Sequence, residues 1–165
     1  MDDLGPRLAA LTFSDLTQAQ VTTLVIDTVA AWGEGHGWRV YRRAPSVLRL
    51  PPPMDQQHSV LDVALARPDG PPIVVEVDHT HRQRTIDKLL AEAEEGRLPF
   101  WVRWGPGKII EPPPPIILLS LAVTRSQGRY SRSLLAAPEH SATAALTGEI
   151  TELPLAAAPE PGPDR

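Results

Sequence analysis

The sequence predicts an α/β domain, a central mixed sheet flanked by helices on both faces. Three observations carry this. Helical periodicity occupies two separate segments, near 16–32 and 82–97, with strand-like runs between and after them. Two of those runs are joined by Arg67-Pro68-Asp69-Gly70-Pro71-Pro72, a strong turn signal. The 165 residues suffice for one such domain and are too few for two.

The first helix is expected over Leu16–Trp32, where Leu16, Ala19, Thr23, Leu24, Ile26, Ala30 and Ala31 keep helical spacing and Val21, Val25 and Val29 widen the apolar side. Thr17 or Ser14 is the candidate cap, and Gly33, Gly35 and Gly37 the stop. Trp38–Arg42 alternates like a strand, whereas Arg43–Gln57, with Pro45 and Pro51–Pro53, reads as a loop holding extended pieces. Ser59–Ala66 and Ile73–His79 are β-branched and aliphatic and form the hairpin. A second helix follows from about Arg82 to Arg97, burying Ile86, Leu89, Leu90 and Ala93, with Thr80 and Gln83 fitting a capping box and Thr85 an equal alternative cap.

Phe100–Trp104 is a further strand closed by Gly105-Pro106-Gly107. Pro112–Pro115 cannot sit inside a ladder and reads as a polyproline linker; Ile116–Val123 then resumes as an apolar strand or a short buried helix. The division expected is an N-terminal extension over 1–16, a domain over 17–135 and a Pro/Ala-rich acidic tail over 136–165, disordered apart from a marginal helix near Glu139–Glu152.

Composition narrows the chemistry. Cysteine is absent, which excludes disulfides, a thiol nucleophile and a thiolate zinc site. No apolar run approaches the roughly 20 residues needed to span a bilayer, and the Met1-Asp2-Asp3 start lacks the features of a secretory signal, so a cytoplasmic protein with no membrane partner is expected. Net charge is −4, but it is unevenly spread. Residues 1–35 and 133–165 each hold one Arg against five carboxylates, while 36–132 hold 14 Lys and Arg against 10 Asp and Glu. A mildly basic centre between acidic ends is compatible with a phosphate-bearing ligand, and equally with an ordinary solvated surface.

Three acids interrupt apolar strands: Asp62 within Val60–Leu65, and Glu76 and Asp78 within Ile73–Asp78. Strand side chains alternate, so Glu76 and Asp78 share a face. A hairpin closed at 68–72 brings Asp62 beside them if position 62 lies opposite about 77. Grouped carboxylates repel and lose hydration, and a hard divalent ion relieves both costs; Mg²⁺ or Mn²⁺ held by Asp62, Glu76 and Asp78 is the sharp reading. The plain alternative is edge-strand acids facing water, most readily for Asp78 at a strand end. His79, His81, Arg82, Arg84 and Lys88 follow as cations able to hold a phosphate backbone or, equally, to be solvated. His79 and His81 would form a transition-metal pair only if the strand persists past Asp78.

With these residues in place, the order helix, three strands, helix, strand, with Asp62 in the second strand and Glu76-Val77-Asp78 in the third, resembles the PD-(D/E)XK nuclease superfamily over roughly residues 17–123. The resemblance implies a restriction-endonuclease-like fold with an αβββαβ core and metal-dependent hydrolysis of DNA phosphodiesters. It implies that Asp62 and Glu76 hold Mg²⁺ or Mn²⁺, and that Arg82, Arg84 and His81 contact nucleic acid. Asp78 stands where the superfamily usually has Lys, and Leu61 where it usually has Pro. Three outcomes follow from the first departure: Asp78 acts as base or further ligand, Lys88 supplies the cation from the next helix, or the chain is an inactive copy that binds nucleic acid or a protein partner. In the first helix, Asp27 and Glu34 are candidate extra acids, better explained by simple exposure. Such enzymes pair to cut two strands, and in a homodimer Trp101, Trp104 or the 116–123 strand would supply the interface; for both tryptophans core packing is the stronger expectation.

Overall fold

The computed structural model describes residues 3–134. Among them the elements run α1 (Leu4–Ala9), β1 (Phe13–Leu16), α2 (Gln18–Gly35), β2 (Arg39–Arg49), β3 (His58–Ala66), β4 (Ile73–Asp78), α3 (Gln83–Glu94), β5 (Leu98–Gly105), β6 (Ile117–Ala122), β7 (Thr124–Ser126) and β8 (Arg129–Arg132). The tail expected beyond 135, with its helix near 139–152, lies outside the described residues.

A five-stranded mixed sheet has the order β2-β3-β4-β5-β6. The first three strands are antiparallel neighbours, and β4, β5 and β6 run parallel. Helix α2 and helix α3 cover opposite faces. Val21, Val25, Val29 and Trp32 of α2 pack with Val63, Leu65, Val75, Val77, Val102 and Trp104. Ile86 and Leu89 of α3 pack with Leu61, Val74 and Trp101. Each strand therefore divides its apolar residues between two layers, which is why the central strands read as nearly continuous hydrophobic runs.

Thr17 is the cap of α2: its hydroxyl accepts from the Gln20 amide and the Gln20 side chain accepts from the Thr17 amide. Gly33 and Gly35 do not stop the helix. A β-carbon at Gly33 would lie 2.6 Å from Leu65 Cδ2, so this glycine lets α2 settle against β3. The stop is Gly37, at φ +74°. The segment 43–49 is a continuation of β2 rather than a loop, because β2 is an edge strand and its exposed Pro45 needs no outer ladder partner. The 116–123 run is strand β6, also an edge.

Residues 3–16 pack into the folded domain. Leu4 and Leu8 are 1% exposed in the α2-side core, and Asp3 accepts from the Trp32 indole at 2.6 Å. Strand β1 joins β8 and β7 in a second, three-stranded antiparallel sheet that the sequence did not suggest. Helix α3 begins at Gln83 without a side-chain cap, so neither the Thr80–Gln83 box nor a Thr85 cap forms. Trp101 and Trp104 are both fully buried within the chain, which removes them as an interface between copies. No helix among the described residues is long and apolar enough to cross a membrane.

Candidate functional site: a carboxylate cleft where two strands part

The β3–β4 ladder runs Leu65–Ile73, Ala64–Val74, Val63–Val75. Extended by one step, this register sets Asp62 opposite Glu76, one residue away from the expected position 77. No further pair forms, however, and the backbone groups left by the ladder are taken by side chains. The Val77 amide donates to Asp62 Oδ2 at 2.8 Å, and the Val60 carbonyl accepts from Lys88 Nζ at 2.6 Å. Residues of both helical layers, Gln18 and Thr22 from α2 and Arg84, Thr85 and Lys88 from α3, line one cleft of about 450 Å³. Both layers can reach it only because the sheet between them opens there.

Asp62, Glu76 and Asp78 all line this cleft, together with Arg82, Arg84 and Lys88. Glu76 is 5% exposed, and its Oε1 accepts from Lys88 Nζ at 2.8 Å. That contact crosses from α3 to β4. Burial, and then the negative charge of Asp62, push the Glu76 carboxyl up to about 7 despite Lys88. Burial also raises Asp62, against the opposing Val77 amide.

Asp78 is held differently. Its Oδ2 accepts from the Thr85 hydroxyl at 2.8 Å and the Trp101 indole at 3.0 Å, and its Oδ1 faces the Arg82 guanidinium at 3.6 Å. Arg103 Nη1 bonds its backbone carbonyl at 3.2 Å. Asp78 thus ties α3 and β5 to the end of β4. Among the described residues, no three His, Asp or Glu side chains converge tightly enough to form an ion cage, so the expected set of Asp62, Glu76 and Asp78 does not stand as a preformed triple ligand. Asp62 and Glu76 remain as neighbouring, poorly neutralised carboxylates, a donor set suited to Mg²⁺, which takes one or two carboxylates and keeps waters.

The histidines do not pair. His79 turns toward Trp104 and Tyr130, with ring centroids 4.6 and 5.2 Å away, while His81 lies 5.6 Å from Trp101 in the other layer. Burial and the nearby Arg103 lower the His79 pKa, favouring the neutral ring. Arg84 lines the cleft and donates to the Arg49 carbonyl at 3.2 Å, and Arg82 is largely exposed at its rim. Asp27 pairs with Arg42 at 2.6 Å on the surface; neither it nor the exposed Glu34 lines the cleft.

Sequence reasoning missed Gln18, Thr22 and Thr85. Thr85 carried the only available signal, a hydroxyl in the first turn of a helix that begins five residues after Asp78. In comparisons with known proteins, no family model and no curated sequence matched this chain.

Proposed function

We propose that this protein hydrolyses DNA phosphodiester bonds with a divalent metal ion, as a PD-(D/E)XK-like nuclease in which the lysine comes from α3. The observation that carries the reading is the Lys88 Nζ contact with Glu76 Oε1 at 2.8 Å, beside Asp62 in the same cleft. The succession of α2, three antiparallel strands, α3 and a parallel β5 supports it, being similar to the restriction-endonuclease-like core.

In this reading Asp62 and Glu76 hold Mg²⁺ or Mn²⁺, which supplies an acidified water and neutralises charge on the phosphate. Lys88, bonded to Glu76 Oε1, would orient the water or neutralise charge on a phosphate oxygen. Asp78 fixes the first turn of α3 through Thr85, and so sets where Lys88 stands. Arg82 and Arg84 meet the DNA backbone at the rim, where charge-assisted hydrogen bonds to phosphate are strong.

A second reading, an inactive nuclease-like module that binds nucleic acid or a protein, is favoured by one observation: Asp78, at the superfamily's lysine position, is fully engaged by Thr85 and Trp101. Supercoiled, linear and single-stranded DNA incubated in Mg²⁺ or Mn²⁺ separates the two. The hydrolase reading expects cleavage that falls at least about 100-fold in Asp62→Asn and in Glu76→Gln. Cleavage no greater in the native protein than in the variants overturns it and leaves the binding module.

A further inference from the structure

We propose that Arg43, whose register position in β2 lies opposite Asp62, is a phosphate-contacting residue at the margin of this cleft. The inference rests on reading the cleft as a nucleic-acid site. Strands β2 and β3 keep one register from Arg39–Ala66 to Pro45–Val60, yet between the pairs Arg42–Val63 and Ala44–Leu61 one pair is missing, Arg43 with Asp62. The register is the same on both sides, so no residue has been inserted and the break is not a bulge.

The cause lies at Arg43, whose φ is +52°. A residue with a β-carbon crowds its own carbonyl there, and glycine alone adopts it at no steric cost. Local needs account for the other two such residues. Gln127 sits beside Gly128 in the tight β7–β8 turn, and the Asp15 amide is bonded by Ser131 Oγ at a register shift in β1. At Arg43 the turn makes the strands change face: Val40 and Val63 lie in the α2-side core, Ala44 and Leu61 in the α3-side one. Arg43 stands inside a strand, is exposed, and its side chain makes no hydrogen bond or ion pair among the described residues.

Its neighbours are otherwise engaged, Arg42 with Asp27 and Arg49 with the Asp55 carbonyl. The Arg43 charge is felt at Asp62, where it favours the ionised carboxylate. The switch takes Arg43 and Asp62 out of the ladder together and leaves an exposed guanidinium at the register position of a cleft acid. A guanidinium at this place fits a phosphodiester oxygen.

The test compares the native chain with Arg43→Gly, Arg43→Ala and Arg43→Lys by thermal unfolding and by anisotropy of a labelled DNA duplex in EDTA over a salt series. In an ordinary strand Ala is more stable than Gly; here the Gly variant should melt above the Ala variant by roughly 2–4 °C. Both should bind the duplex about 5- to 10-fold more weakly than the native chain, with a slope of log K against log salt shallower by about 0.9, one phosphate contact. Arg43→Lys should retain the slope.

An Ala variant melting above the Gly variant, or a Gly variant with native affinity and slope, overturns the assignment. Binding by the native chain that Arg43→Gly leaves unchanged sinks Arg43 alone. No binding by the native chain sinks both Arg43 and the nucleic-acid reading of the cleft. Binding without cleavage in metal sinks hydrolysis and leaves Arg43 standing.

Discussion

Two glutamates on the α3 side of the sheet are buried to similar depth and treated in opposite ways. Glu92, 0% exposed, accepts from the Ser46 hydroxyl at 2.6 Å and the Val47 amide at 2.8 Å, and is paired with Arg97. Two donors from β2 and one from the turn after α3 surround one carboxylate, and it pins the far half of β2 onto α3. Glu76, 5% exposed, has Lys88 as its one donor and Asp62 as an adverse neighbour, and its carboxyl is pushed up to about 7. A carboxylate buried for architecture is neutralised by the chain itself. One buried at a site keeps electrostatic demand unmet, and an incoming ion can meet it.

The largest effect should come from the architectural acid. Glu92→Ala strands the Ser46 hydroxyl and the Val47 amide and frees Arg97, which we expect to lower unfolding free energy by about 3 to 4 kcal/mol. Urea denaturation measures it. The cleft lies elsewhere on α3, so activity per folded molecule should hold; a loss under 1 kcal/mol would erase the contrast between the two glutamates.

The second effect is a pH dependence assigned to Glu76. Its folded pKa of about 7 lies above the ordinary value of 4.5, so between those values the folded state binds more protons than the unfolded one. Stability is then highest below pH 4.5 as far as this group is concerned, and declines as pH rises to 7, by about 3 kcal/mol in all. Glu76→Gln imitates the protonated form and should flatten that decline, matching the native chain near pH 5 and exceeding it at pH 8. A native stability that rises relative to Glu76→Gln across this window would assign the wrong sign to Glu76.

The third is smaller. At pH 8 Mg²⁺ should restore part of what ionisation removes, about 1.4 kcal/mol at ten times its dissociation constant. The gain should vanish in both Glu76→Gln and Asp62→Asn. Equal gains in the variants would place the ion elsewhere.

What the sequence made legible follows from how local each signal is. The hairpin, α2 with a cap at Thr17 or Ser14, and the meeting of Asp62 with the acids of β4 were readable because alternation and turn chemistry act over a few residues. The opening of the sheet at Asp62 was not, because it depends on which backbone groups of β3 and β4 fail to pair. The same holds for Asp78, whose partners Thr85 and Trp101 arrive from α3 and β5. Gly33 looked like a stop because a glycine's conformational freedom is visible in sequence and the approach of Leu65 is not. Strands β1, β7 and β8 are three or four residues each, too short to show a period, and β1 joins β8 across more than a hundred positions.

The smallest expected effect concerns an acid of α2. Asp27 and Arg42 meet at 2.6 Å, but their side chains are 52% and 49% exposed. Exposed pairs gain little over hydration and are screened by salt, so Asp27→Asn should change stability by less than about 0.5 kcal/mol. The carboxylate lies outside the cleft lining, and cleavage and DNA affinity should stay within twofold of native. The substitution also releases Arg42, the neighbour of Arg43 on β2. A rise in DNA affinity above that range would mean that Arg42 joins the phosphate-binding rim once free. A fall in cleavage of 10-fold or more would make Asp27 part of the site, and the boundary between architectural and reactive acids would have to be redrawn to include α2.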